Sequence, residues 1–283
     1  MNYRHSFHAG NFADVHKHVV LTLIIQRLRE KPTPFRIIDT HAGAGLYDLA
    51  GDDAERTGEW RSGIGRLFDT PFPDKTAELL APYRDAVARA NPHGTLTRYP
   101  GSPLIARALL REDDRLVACE LEPTAASALA THLGRGRRAK AVAIDGWTAL
   151  MAYIPPRERR GLVLIDPPYE KPDEFDRIGD ALVRAHRKWP TGIYVAWYPI
   201  KDRDGPGLLA ARLTEADMPN VLRSELSLGA SEEAGRLGGS GLVIVNPPWQ
   251  LDDNLKAVLP ALALALARGP GAGARLDRIG SAG

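Results

Sequence analysis

Cysteine is almost missing from this chain of 283 residues: Cys119 is the only one, so no disulfide can form within it. No apolar run approaches the roughly 18 residues that a membrane-crossing helix needs. The opening MNYRHSFHAGNFADVHKH lacks the apolar centre of a secretory signal. A soluble, cytoplasmic protein with no membrane partner is expected. An excess of charge of one sign is also missing. Lys plus Arg number 37 against 35 Asp plus Glu, a formal net charge of +2, so a nucleic-acid role requires a local basic face. No internal repeat is visible at periods of 20–50 residues. The hydrophobic share of 44% is that of a globular domain.

The pattern along the chain is an alternation of strands and helices. Residues 11–30 read as a helix, with Asn11 as cap, Asp14 as a capping-box variant, and Val15, Val19, Leu23 and Ile24 on one face. FRIID (35–39) then reads as a buried strand running into the glycine loop THAGAG (40–45). Residues 48–98 depart from the alternation and read as a small inserted helical subdomain. A helix restarts within 100–112, with Ser102 as N-cap and Pro103 at the first helical position. Six further strands follow at 115–120, 139–145, 161–166, 192–199, 221–228 and 241–246. The organisation expected is therefore 1–47, the insertion 48–98, the rest of an α/β domain at 99–267, and a disordered Gly/Ala/Arg tail at 268–283.

In open α/β sheets ligands bind beyond the carboxyl ends of strands, so the residues that end these strands carry the functional signal. Asp39 is followed by His41, Gly43 and Gly45, a turn that lets a ligand approach the backbone. Glu120 ends the next strand; a carboxylate there suits a ribose diol, or is simply solvated. Asp145-Gly146 follows the third, placed either for an adenine amino group or as a helix cap. Asp166-Pro167-Pro168-Tyr169 follows the fourth and is the strongest motif. The prolines stiffen the loop and remove two N–H donors, leaving carbonyls beside an acid and a flat ring. That set suits an exocyclic amino group. Asn246-Pro247-Pro248-Trp249 resembles it, but belongs to the last strand and is read as structural.

The segments YRHSFHAGNFADVHKH (3–18), DTHAGAG, ERTGEW (55–60), YPGSP (99–103) and IDPPYE together resemble the bacterial adenine-N6 methyltransferases of large-subunit ribosomal RNA, over nearly the whole chain apart from the tail. The resemblance implies a class I methyltransferase fold, Rossmann-like with a seven-stranded sheet, S-adenosylmethionine as methyl donor and one adenine of 23S ribosomal RNA as target. It implies that Lys17, His18, His41, Gly43, Ser102, Glu120, Asp145, Gly146 and Asp166 contact or surround the cofactor. Asp166, with Pro167 and Tyr169, becomes the catalytic set, and Tyr3 with His5 acts near the target base. His5, His8, His16 and His18 form no completed metal set, and no metal is expected. Basic runs at 135–140, 157–160 and 184–188 are either solvated faces or parts of an RNA-facing stripe. A monomer is expected. The other readings are a DNA adenine-N6 methyltransferase and an inactive RNA-binding module on the same fold.

Overall fold

The computed structural model describes residues 5–229 and 237–280. After a 3₁₀ turn at His5–Phe7, the helix α1 (Phe12–Arg29) leads to strand β1 (Arg36–Asp39). A short β2 (Leu46–Asp48) precedes α2 (Asp52–Thr57), a π turn at Arg61–Gly65, α3 (Arg66–Asp69), α4 (Asp74–Arg89) and β3 (Arg98–Pro100). Then come α5 (Ser102–Leu109), β4 (Arg115–Glu120), α6 (Pro123–Leu133), β5 (Ala139–Ala143), α7 (Gly146–Tyr153) and β6 (Gly161–Ile165). The chain continues through α8 (Glu174–Lys188), β7 (Ile193–Ile200), α9 (Asp204–Glu215), β8 (Val221–Leu228), β9 (Gly239–Val245), α10 (Leu251–Leu266) and β10 (Ala272–Ile279).

The main sheet has the order β10-β8-β9-β7-β6-β1-β4-β5. Strands β5, β4, β1, β6 and β7 are parallel, while β9 lies antiparallel to both β7 and β8. This is the class I methyltransferase arrangement, widened by one strand. Every residue of β6 is buried, as a parallel strand covered on both faces requires. Among the described residues no helix is long and apolar enough to cross a membrane.

Two expectations need correcting here. The sheet has eight strands rather than seven, because residues 272–279 of the supposed disordered tail pair with β8 along its whole length. Tertiary pairing overrides the Gly- and Arg-rich composition. Arg223 on β8 donates to Asp277 on β10 through two nitrogens at 2.8 and 2.5 Å, which fixes the register across the strands. Residues 48–98, in turn, have no core of their own. They are bracketed by a β2–β3 ladder, and Leu80, Tyr83 and Val87 of α4 join one cluster with Val19 and Ile24 of α1 and Leu255 of α10.

Helix α1 is buried almost all round, not on one stripe. Phe12 to Ile25 is an unbroken buried run that includes Asp14, His16, Lys17 and His18. It lies between the sheet, the neighbouring helices and the 48–98 segment. Asp14, His16, Lys17, His18 and Thr22 therefore carry polar groups into the interior, where each must find a partner.

Candidate active site

Sheet order places β5, β4, β1 and β6 side by side. Their carboxyl ends bring Asp145, Glu120, Asp39 and Asp166 to one edge, as the sequence reading required. Asp39 is 1% exposed and accepts the Ser102 hydroxyl at 2.6 Å on Oδ2, while its Oδ1 has no hydrogen-bond partner. Burial, aided by the nearby Asp166 charge and opposed by the Ser102 hydrogen bond, pushes its carboxyl up to about 7. Ser102 is not the N-cap that was expected: Gly101 occupies that place, and the Ser102 hydroxyl is turned to Asp39.

The glycine loop is tightly held. Gly43 has a φ of +62°, and a Cβ there would lie 2.2 Å from the Tyr47 hydroxyl. Its N–H donates to Glu120 Oε2 at 2.8 Å, while Glu120 Oε1 accepts from the N–H groups of Leu121 and Glu122. Asp145 Oδ2 accepts from both the backbone N–H and the hydroxyl of Thr148, so the capping role is realised. A Cβ on Gly146 would fall 2.3 Å from the Thr40 carbonyl and 2.7 Å from the His41 ring, which leaves room for glycine alone. His41 accepts or donates to the Thr40 hydroxyl at 2.8 Å and meets Trp147 edge-on. Burial lowers its pKa to about 4, so the ring is neutral near pH 7.

From α1, Lys17 reaches Asp166 Oδ2 at 2.5 Å and Asp14 Oδ1 at 2.9 Å. Burial works against the Lys17 charge, and the two carboxylates outweigh it, so its pKa is raised. Asp14, 1% exposed, also accepts from the Gly10 N–H at 2.9 Å and meets His5 Nε2 at 3.0 Å. Burial alone would raise its pKa, but His5 and Lys17 hold it well below the ordinary carboxylate range. A chain of groups, His5–Asp14–Lys17–Asp166, thus ties the N-terminal turn to the strongest motif. Sequence reasoning missed Asp14, which it treated as a capping residue. Tyr3 lies outside the described residues.

Tyr169 sits at a φ of +53°. Its hydroxyl donates to the Trp197 carbonyl at 2.8 Å, and its ring meets Trp197 edge-on at 5.6 Å and Phe175 at 5.1 Å. Trp197 is the one residue of β7 that is not fully buried, and the Lys17 ammonium lies 5.9 Å from its ring. Its indole N–H, which can only donate, bonds Ser240 Oγ at 2.9 Å; Ser240 meets His16 Nδ1 at 3.0 Å, and His16 Nε2 meets Ser224 Oγ at 2.9 Å. Burial drives the His16 pKa down to about 3, so it acts as a neutral link. Neither Trp197 nor His16 was picked out for this site. The only sequence signal was an aromatic near the end of an apolar strand.

The four N-terminal histidines go separate ways. His5 meets Asp14, His8 meets Glu59 at 3.0 Å, His16 bridges two serines, and His18 Nδ1 meets the Tyr99 hydroxyl at 2.7 Å with the rings stacked. His18 is 1% exposed and its Nε2 has no partner. Among the described residues no three His, Cys, Asp or Glu side chains gather as a metal set. Asn246 lies at the opposite edge of the sheet, because β9 runs against β7. It has a φ of +54° and its amide donates to the Pro190 and Gly192 carbonyls at 2.7 and 2.8 Å.

Comparison with known proteins gives a consistent picture. A family model described as "Ribosomal RNA large subunit methyltransferase D, RlmJ" matches residues 32–278. The chain is 43% identical over 262 residues to ribosomal RNA large subunit methyltransferase J of Escherichia coli K12, covering 93% of this chain and 92% of that protein. It is 39% identical over 268 residues to the protein of the same name from Haemophilus influenzae Rd, covering 94% of each. A crystal structure of a Legionella pneumophila protein superimposes with a TM-score of 0.85 at 34% identity, covering 95% of this chain and 98% of that one.

Proposed function

This chain belongs to the ribosomal RNA large subunit methyltransferase J family, and we propose that it transfers a methyl group from S-adenosylmethionine to the N6 amino group of one adenine in 23S ribosomal RNA. The observation that carries this reading is Asp166, at the end of β6, with the two prolines after it and the Lys17 ammonium against its Oδ2.

The site fits the donor. The unpartnered, buried Asp39 Oδ1 suits an ammonium, Glu120 suits a ribose diol, and Gly43 and Gly146 let the loop backbone pack against Tyr47, Thr40 and His41 where a Cβ would clash. Asp145 and His41 flank the place for the donor's adenine. Lys17 would exchange one of its carboxylate partners for the donor's carboxylate, while His18 and Ser102 brace the wall behind, through Tyr99 and Asp39. When bound, the donor supplies a sulfonium methyl group.

The chain's own residues position the acceptor. An adenine amine is a poor nucleophile because its lone pair is shared with the ring. Asp166 and the Pro167 carbonyl accept its two N–H bonds, which favours a pyramidal nitrogen with the lone pair free. Much of the rate then comes from orientation. Asp166 takes the proton as the nitrogen gains positive charge. The adenine leaves its stack at a cost of a few kcal/mol. Tyr169 and Trp197 offer aromatic surface in return, worth about 1–3 kcal/mol per stacked base. His5 is held by Asp14, and His5 with Tyr3 is assigned to the target base.

The test is incubation with labelled donor and three acceptors: unmodified 23S RNA fragments, duplex DNA and no nucleic acid. N6-methyladenosine in the RNA alone is expected. Label in DNA, or in another nucleoside, refutes the reading.

A further inference from the structure

Strand polarity decides where the three basic runs lie. Residues 135–138 connect α6 to β5 and Lys140 is the second residue of β5, residues 157–160 connect α7 to β6, and residues 184–188 end α8 before β7. All three therefore sit at the amino edge of the parallel strands, opposite the edge that holds Asp166. The four cations of 135–140 are exposed, as are Arg157, Arg159 and the three cations of 184–188. Among the described residues none of these nine cations is in an ion pair. Along the same stretch, from β7 to β5, the exposed acids of the connecting segments are Glu30, Glu112 and Asp113. Nine exposed cations without an ion pair thus gather at one end of the sheet. The helix dipole accounts for Arg187 and Lys188, in the last turn of α8. It does not account for 135–138 or 157–160, which lie beyond the ends of their helices.

The structural Asn246 loop adds an aromatic to this edge. Asn246 and Gln250, both at positive φ, bracket Pro247-Pro248-Trp249. Trp249 is 74% exposed, with the Arg27 guanidinium 5.0 Å from its ring. It lines a cleft of about 290 Å³ with Lys31 and Arg160. An exposed ring is costly to hold in water, and a left-handed non-glycine backbone adds to that cost. From β9, next to Trp249, to β5 the sheet order spans five neighbour spacings, about 24 Å.

Positive charge in a row, ending in an exposed indole, fits a strand of RNA: phosphates along the cations and a base on the ring. We propose that this amino edge is a second RNA-contact surface, engaged by the parts of the ribosomal RNA that extend beyond the target adenine and its immediate neighbours. The proposal rests on the methyltransferase reading of the opposite edge. The two edges are separated by the length of the strands, roughly 17–20 Å for strands of ordinary length. A short RNA seated at Asp166 does not reach round to Trp249, and a long fragment does.

That difference in reach supplies the test. Two variants are compared with wild type, R135E/R137E/R138E and Trp249→Ala, on a short RNA carrying the target adenine and on a long 23S fragment. For the long fragment, kcat/KM is expected to fall at least about tenfold in the triple variant. Its slope of log affinity against log salt should become shallower by about 2–3, the value for three lost phosphate contacts. Trp249→Ala should weaken long-fragment binding about tenfold, the scale of one lost stack. Kinetics on the short RNA and donor affinity should stay within twofold of wild type. Unchanged affinity and salt slope on the long fragment would overturn the proposal, as would an equal loss on both RNAs. It would fail too if poly-glutamate bound wild type and not the triple variant while RNA binding was untouched, since the surface would then serve an acidic protein. Failure of the methyltransferase reading would show separately, as no N6-methyladenosine from wild type, and the binding measurements do not depend on turnover.

Discussion

Replacing Asp39 by asparagine separates what this carboxylate costs the fold from what it gives the site. Its folded pKa is about 7 against an ordinary 3.8, chiefly through burial at 1% exposure. The folded state therefore prefers the protonated form. Wild-type stability is whole below the unfolded value of 3.8 and is lost progressively as pH rises to about 7. The gap between those values, at about 1.4 kcal/mol for each pH unit, comes to about 4 kcal/mol. Asparagine does not titrate. Whatever fixed offset its amide introduces, the difference between variant and wild type should grow in the variant's favour across that window and then level. Titrating groups that do not sense Asp39 cancel in the difference. Urea unfolding at about pH 4, 5.5 and 7.5 measures it, and a difference that does not change with pH refutes the reasoning. Donor affinity should move the other way, since the ammonium loses its carboxylate, a trade of binding for stability.

Asp166→Asn should lower kcat by the roughly 10²–10⁴-fold assigned to a positioned proton acceptor while circular dichroism stays native; wild-type turnover would remove Asp166 from the catalytic set. Lys17→Met breaks a buried pair and leaves Asp14 and Asp166 facing each other, so a loss of about 3–5 kcal/mol and a weaker donor are expected, by urea unfolding and calorimetry respectively. Asn246→Ala strands the part-buried Gly192 carbonyl and should cost about 1 kcal/mol, with turnover on a short RNA within a few-fold of wild type. A collapse of turnover in a folded Asn246→Ala protein would mean that the two Pro-Pro motifs had been assigned the wrong way round.

Much of the sheet could be read from sequence because buried parallel strands are apolar runs that stop at a polar residue. The strands read at 115–120 and 221–228 coincide with β4 and β8. The acids that end the runs land at one edge because parallel strands put all their carboxyl ends together. What could not be read depends on partners distant in sequence. Residues 272–279 are mostly half-buried or exposed and become a strand only because β8 has an open edge. Asp14 has the spacing of a cap, and its buried contacts with Lys17 and His5 follow from how α1 is enclosed. The Trp197–Ser240–His16–Ser224 chain joins β7, β9, α1 and β8, four elements whose adjacency no local pattern announces. The basic runs were visible as composition, and only strand polarity shows that they point away from Asp166.

The eighth strand also governs how the molecule avoids sticking to itself. All but one of the residues of β8 are buried, a poor composition for a sheet border. Without β10 its unsatisfied backbone would be a template for any other extended chain. The strand that takes the border instead carries Arg275, Asp277 and Arg278, which disfavour pairing with a further chain. Shortening the protein at residue 267 should therefore show first as aggregation during expression and refolding, ahead of any change at the methyl-transfer site.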